Sequence, residues 1–287
     1  MRGVRRATGR RGGRSPRLRA LGAGEGRPRR PGARASATLA AGILALGAAF
    51  ALGAAGASAA PNPPSNLRLG ALPASCGRAP TGTACETASV RALDAARAKL
   101  GLGPYLLPGD FVRLAPARQW LILANLDRIG YALRPIGGLS TALDSIARQG
   151  ATAREDPDPQ PLLMGLHGQS RLGFASNWAG GQPNALVAYY GWMYDDGYGS
   201  GNLDCRSPTA PGCWGHRQDI LSFAQAARLS MGAAASRGAA SYALTIVETS
   251  TPVWPYSYSW AAAMADGAGV RRSADRRGPA AGRALGS

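Results

Sequence analysis

Residues 190–223 read YGWMYDDGYGSGNLDCRSPTAPGCWGHRQDILSF, and the organisation of the chain unfolds outward from them. The segment begins inside an aromatic run that starts at Pro183. Leu186, Tyr189, Tyr190 and Met193 recur at three- and four-residue spacing, which predicts a helix over 183–194 with Trp192 at the edge of its apolar face. Asp195-Asp196-Gly197 ends that helix. Oxygen-bearing side chains then fall at alternate positions, Asp196, Tyr198, Ser200, Asn202 and Asp204. Calcium loops wrap their ion with this spacing, although no Glu closes the loop here. Cys205 and Cys213 bracket the next turn. A second helix is expected from His216 to about Phe223, with Ile220 and Leu221 inward. His216 is one of only two histidines. In a first helical turn, the helix field and open N–H groups favour a neutral imidazole, suited to a base or metal ligand.

Downstream, 229–236 is a Gly/Ala-rich strand candidate and 241–250 the clearest strand. Tyr242, Leu244 and Ile246 alternate there with Ala243, Thr245 and Val247, so both faces are largely apolar, as in a strand covered on both sides. Upstream, three helices are predicted. Val90, Leu93, Ala96 and Leu100 mark one face of 86–100. Pro116 suits the first turn of 116–131, where Trp120, Leu121, Leu123, Ala124 and Ile129 form the apolar surface and Asn125, Asp127 and Arg128 the polar side. Ser140 caps 140–149, with Asp144 and Arg148 as a surface pair. Residues 151–166, with Asp156-Pro157-Asp158-Pro159, read as a long loop, and His167 as a surface residue. The fold class is α/β (α+β): helices first, then buried strands.

The basic character sits at the ends. Residues 1–36 carry twelve arginines against Glu25, leaving +6 of the formal +17 for the remainder. Much of that lies beyond residue 270, so the centre has no nucleic-acid signature and no specific nucleic-acid binding is expected. Residues 37–60, apolar and rich in Ala and Gly, follow the basic arm and end in small residues before Pro61. This is a signal-peptide pattern; an uncleaved transmembrane anchor is its rival. Cys76, Cys85, Cys205 and Cys213 all lie beyond it, as expected for disulfides in an oxidising destination. Sequence neighbours suggest Cys76–Cys85 and Cys205–Cys213, among three open pairings. Their spacing lacks the Cys-x-x-Cys of a structural zinc site.

Several segments together resemble the CAP superfamily, also known as the SCP or cysteine-rich secretory, antigen 5, pathogenesis-related-1 family. Gly215-His216-Arg217-x-Asp219-Ile220-Leu221 is similar to the Gly-His-Arg-x-Asn-Ile-Leu segment of bacterial members. Ala188-x-x-x-Trp192-Met193 resembles the helix preceding it, and Ser176-Asn177-Trp178-Ala179 resembles the family's Glu-Asn-Ile-Ala. Asn125-Leu126-x-Arg128, Gly138-Leu139 and the 140–151 helix resemble its first two helices. The resemblance covers roughly 118–250. It implies a three-layer α-β-α sandwich, here with an added N-terminal helix and a disulfide-bracketed insertion. It also implies a cavity of two histidines and two acidic residues able to hold a divalent metal. His216 matches the second histidine; Gly150 stands at the place of the first, and Ser176 at that of the Glu.

The resulting division is 1–60 leader and export segment or anchor, 61–84 linker and disulfide loop, 85–117 helical extension, 118–255 CAP-like domain and 256–287 disordered tail. The expected role is a secreted or cell-surface binding or structural domain without enzymatic activity. Its partner would be a lipid, sterol, glycan or cell-envelope component. Ser176, Asn177, Trp192, Asp195 and His216 are the expected ligand-binding residues. One alternative is a hydrolase using His216 with an acidic or hydroxyl partner such as Asp195 or Ser176. The other is a calcium-stabilised domain built on Asp196, Asn202 and Asp204. The cofactor these readings admit is a divalent metal, calcium or zinc.

Overall fold

A computed structural model describes residues 60–236 and 240–269. In chain order the elements are α1 (Ser75–Arg78), α2 (Thr83–Lys99), a 3₁₀ turn (Phe111–Arg113), α3 (Pro116–Gly130), β1 (Gly138–Leu139), α4 (Thr141–Ala153), α5 (Gln160–Leu163), β2 (Leu172–Gly180), α6 (Ala185–Tyr194), α7 (Gly215–Leu221), β3 (Arg228–Ser236), β4 (Ser241–Thr249), β5 (Tyr258–Ser259) and α8 (Trp260–Ala265). They build a mixed α/β domain around an open five-stranded sheet of order β2-β4-β3-β1-β5. β4 pairs antiparallel with β2 and β3, β1 runs parallel to β3, and β5 closes antiparallel on β1.

The alternation in β4 divides the core. Leu244 and Ile246 join Met231 and Ala233 of β3 and pack with Trp120, Leu123, Leu186 and Tyr189 of α3 and α6. Val247 points the other way, onto Leu143 of α4 and Leu163 of α5. Gly232 permits the close approach of α4. A Cβ there would overlap the Leu143 carbonyl and come within 2.5 Å of the Asp144 nitrogen. Asp144, expected to pair with Arg148 at the surface, also accepts the Ala233 N–H at 2.9 Å. It thereby takes a strand donor that two-residue β1 does not reach. Ser140 caps α4 through the Leu143 N–H, and Pro116 opens α3.

The polar side expected on α3 lies inside the protein. Asn125, Asp127 and Arg128 are fully buried. Asn125 pairs with both backbone groups of Ile136, and Arg128 donates to the carbonyls of Arg134, Ile220 and Ser222. Asp127 accepts from Arg97, Tyr105, Tyr189 and Tyr194, which tie α2, the 105 loop and α6 to α3. Buried polar groups persist where such partners exist; Asn125 finds its own in the segment just after α3, Arg128 there and at the end of α7, and Asp127 in α2, the 105 loop and α6.

Residues 61–84, expected as a linker and disulfide loop, are strapped to the body. The Leu67 N–H donates to the Tyr194 carbonyl at 2.7 Å, and the Tyr190 hydroxyl donates to the Leu67 carbonyl at 2.6 Å. Leu67 and Leu69 pack against the core. Disulfides join Cys76 to Cys85 and Cys205 to Cys213. The tail expected to be disordered from 256 onward instead forms β5 and α8 as far as Gly269, because Tyr258, Trp260, Ala263 and Ala268 bury against the core. Residues 270–287 lie outside the described residues.

The expectation of a transmembrane helix, and of membrane localisation through it, is corrected. Among the described residues no helix is long and apolar enough to cross a membrane. Of the stretch on which the anchor and the secretory signal were read, 37–60, all but Ala60 lies outside the described residues, as does the basic arm before it.

Candidate functional site

The site is assembled where the C-terminus of α6 meets the N-terminus of α7. α6 is apolar almost all round and buried, as the aromatic run dictates, and Asn184 caps it by accepting the Val187 N–H. Its end delivers Asp195 and Asp196. Asp196 is buried and serves α7 as a cap supplied from outside. Its carbonyl accepts the Trp214 N–H at 3.0 Å and its Oδ2 the His216 N–H at 3.0 Å. Trp214 occupies the N-cap position itself, with φ 63° and no side-chain cap bond. Arg128 donates to the Ile220 and Ser222 carbonyls at the far end, 2.8 Å each. A seven-residue helix is marginal alone. Here an anion at its N-terminus and a cation at its C-terminus match its dipole. Arg217, fully buried, binds α7 to α6 through the Met193 carbonyl at 2.8 Å and to the Tyr131 hydroxyl at 2.7 Å.

Within this frame His216 Nδ1 lies 2.6 Å from Asp196 Oδ1. The side chains are 20 % and 3 % exposed. Asn202 Nδ2 lies 2.8 Å from the same Oδ1 and 3.0 Å from the Asp196 carbonyl, so the loop braced by Cys205–Cys213 steadies the carboxylate. A proton on Nδ1 directed at Asp196 leaves Nε2 as the nitrogen available to a ligand or to water. The imidazole lines a cavity of about 680 Å³ whose walls include Leu69, Asp156, Trp178, Tyr190, Trp192 and Asp195.

The electrostatics follow from burial among carboxylates. Burial lowers the His216 pKa, but the Asp196 hydrogen bond and the charges of Asp196, Asp156 and Asp219 outweigh it, and the net shift is upward. Asp196 is also raised, first by burial, against the opposing pull of His216. The pair therefore holds its proton more firmly than either isolated group would. Burial pushes Asp219 up to about 7, with Asp156 and Asp196 adding to the shift and His216 opposing it. Asp195 rises by burial, and its Oδ1 is buried without a hydrogen-bond partner.

The expected site residues fall into two groups. Trp192, Asp195 and His216 line the cavity together. Ser176 does not join them: its hydroxyl donates to Thr245 Oγ1 at 2.9 Å, within the β2–β4 pair. Asn177 is buried beneath α7, donating to the His216 carbonyl at 2.8 Å. The side-chain partner of His216 is Asp196, rather than the carboxylate of Asp195 or the hydroxyl of Ser176.

The calcium candidates Asp196, Asn202 and Asp204 line the same cavity, but their groups are largely taken up by bonds within the protein. Asn202 and Asp196 bond to each other, Asp196 is also committed to His216, and Asp204 is exposed. At Gly150, the place of the family's first histidine, a Cβ would lie 2.9 Å from the Glu155 carbonyl oxygen and the Pro157 nitrogen. Among the described residues no group of three or more His, Cys, Asp or Glu is placed to hold a metal ion. The residues present thus do not fit the two-histidine metal cavity.

Two acidic residues near the pair escaped sequence reading. Asp219 stands three positions after His216, a same-face spacing in a helix that does carry a signal. Asp156, in its Asp-Pro-Asp-Pro segment, reads only as a solvated loop. The buried His216–Asp196 pair at the cavity wall is a candidate catalytic or binding site. No family model, curated protein or solved structure matches the chain.

Proposed function

We propose that this protein is a hydrolase in which His216, oriented by Asp196, acts as general base on a water held in the cavity. The observation that carries this reading is the 2.6 Å Nδ1···Oδ1 contact of a half-buried imidazole that lines a cavity. Asp196 fixes the ring and stabilises the imidazolium formed when Nε2 takes a proton, as carboxylates do in histidine-based hydrolysis. No Ser, Thr or Cys is among the lining residues, and in this reading His216 activates water directly. Leu69, Val187, Tyr190 and Trp192 offer apolar and aromatic walls, which suit a lipid or glycan substrate. Asp156, Asp195 and Asp204 oppose a phosphate backbone.

The test is turnover by the full chain of a panel of p-nitrophenyl esters, amides and glycosides. Wild-type rates should exceed those of His216→Ala by about 10²–10⁴-fold on the productive substrate. Asp196→Asn should fall between, and activity should rise with pH as His216 loses its proton. Equal rates for wild type and His216→Ala across the panel refute hydrolysis.

A CAP-like binding domain is the second reading. It is favoured by Gly215-His216-Arg217 opening α7 against the Trp192 helix, and by helices packed on both faces of the sheet. Saturable lipid or glycan binding that Trp192→Ala weakens, without turnover, would support it.

A further inference from the structure

The cavity beside His216 offers a ligand many acceptors and few donors. Its three large aromatic side chains have their polar groups engaged inside the protein. Trp178 Nε1 donates to Ser241 Oγ at 2.8 Å, Trp192 Nε1 to the Trp178 carbonyl at 3.3 Å, and the Tyr190 hydroxyl to the Leu67 carbonyl at 2.6 Å. Gly180 seats the first of these rings, since a Cβ there would come within 2.6 Å of Trp178 Cζ2. Asn202 Nδ2 is likewise taken up by Asp196 and the Gly212 carbonyl. The acceptors are carboxylates. The chain is strongly basic, with 33 Lys and Arg against 16 Asp and Glu, yet Asp156, Asp195, Asp196 and Asp204 all line this cavity, opposed there by Arg154 and, when protonated, His216. Asp196 is committed to His216. Asp195 lacks that compensation. Its Oδ1 is sealed from water without a hydrogen-bond partner, and Arg68, the cation whose charge it feels, donates instead to the Gly199 carbonyl at 3.0 Å. A carboxylate that loses water and gains no donor in exchange is costly, and a cation arriving from the cavity offsets that loss.

We infer that this cavity selects an organic ammonium ion, with the Asp195 carboxylate as its counter-charge and the rings of Trp178, Tyr190 and Trp192 around its apolar body. As a statement about substrate, the inference rests on the hydrolytic reading above and narrows the lipid or glycan to one bearing a protonated amine. As a statement about binding, it stands apart from that reading. An ammonium group brings donors and no acceptor, which complements carboxylates set among engaged N–H groups. Aromatic rings attract cations through their quadrupole and cover the carbons attached to them. An anionic ligand would meet four carboxylates, with Arg154 the one permanent cation among the described lining residues. A neutral hydroxyl compound would gain hydrogen bonds at Asp195 but supply no counter-charge.

The experiment titrates the full chain at neutral pH with three probes of similar shape: 2-phenylethylamine, 2-phenylethanol and 3-phenylpropionate. Binding is read from the NMR shifts of the His216 imidazole protons, which locate it in this cavity. With only two histidines, His167→Gln assigns them. The amine should saturate and bind about tenfold tighter than the alcohol, as one hydrogen bond to a charged group allows, and the propionate should not saturate. Asp195→Asn should weaken the amine about tenfold and leave the alcohol unchanged. Asp204→Asn, at an exposed position, should cost the amine about threefold or less. Equal affinity for amine and alcohol, tighter binding of the propionate, or no binding of the amine overturns the inference. No loss in Asp195→Asn, or an equal loss in Asp204→Asn, overturns the role of Asp195. If Asp195→Asn does not fold, the wild-type titrations decide the selectivity and Asp195→Ala decides the residue. None of these measurements requires turnover. Absence of turnover in the substrate panel refutes hydrolysis and leaves amine binding standing. Hydrolysis of neutral substrates by a protein that does not prefer the amine refutes the inference and leaves hydrolysis standing.

Discussion

Replacing Asp127 with Asn should cost this protein a large share of its stability. The Asp127 carboxylate is fully buried and faces Arg97, which is 5 % exposed. It accepts hydroxyl bonds from Tyr105 at 2.7 Å, Tyr189 at 2.6 Å and Tyr194 at 3.1 Å. The amide keeps the shape but removes the charge and places an NH₂ where two hydroxyls or a guanidinium now donate. Arg97 retains its bond to the Gly103 carbonyl and loses its counter-charge. Breaking one partner of a buried pair costs about 3–5 kcal/mol. Hydrogen bonds to a charged group contribute about 1.5–3 kcal/mol each, but within one network they do not add. A loss of about 4 kcal/mol is therefore expected, against a total of about 5–15 kcal/mol for an ordinary domain. In urea denaturation followed by far-ultraviolet circular dichroism, that corresponds to a midpoint about 2 M lower for a slope of about 2 kcal/mol/M. The double variant Arg97→Met/Asp127→Leu removes both charges of this pair and should recover part of the loss. A loss below about 1 kcal/mol in Asp127→Asn would refute the assignment of this cluster as the tie between α2, α3 and α6. Because Tyr189 and Tyr194 belong to α6, whose end carries Asp196, the variant should also loosen the His216–Asp196 pair.

Asp219→Asn should stabilise the protein at alkaline pH. The folded carboxyl titrates at about 7 instead of 3.8, so the folded state holds its proton more tightly than the unfolded chain does, and wild type loses stability as pH rises between those values. The gain in Tm over wild type should be near zero at pH 4 and largest above pH 8; a gap that narrows as pH rises would contradict the sign. Gly232→Ala should prevent folding or lower Tm sharply, because the new methyl overlaps α4 backbone rather than a movable side chain. A soluble Gly232→Ala variant with wild-type Tm would show that α4 does not sit on β3 as described.

Periodicity was sufficient for α2, α3, α4, α6 and α7, and for β3 and β4, because each carries its own apolar pattern over nine residues or more or, in α7, a charged and apolar alternation within two turns. The signals at Ser140 and Pro116 were equally local. β1 and β5, two residues each, carry no pattern, and β2 is an edge strand whose burial alternates only weakly. Those strands exist because a neighbour presents open backbone groups to each: β3 to β1, β4 to β2, and β1 in turn to β5. For the site, sequence placed His216 at the start of a helix and Asp195-Asp196 at the end of another. Which aspartate meets the imidazole was decided by the turn from α6 to α7, where Asp196 caps the second helix and Asp195 remains at the cavity wall. Asp127 and Asp156 show the same division from opposite sides. On a helical wheel Asp127 looks solvated and is the anchor of the core; in a proline-rich loop Asp156 looks incidental and reaches the cavity. A residue's own neighbours in sequence set its backbone conformation. The environment of a charge is set by groups tens of residues away, and only the folded chain brings those together.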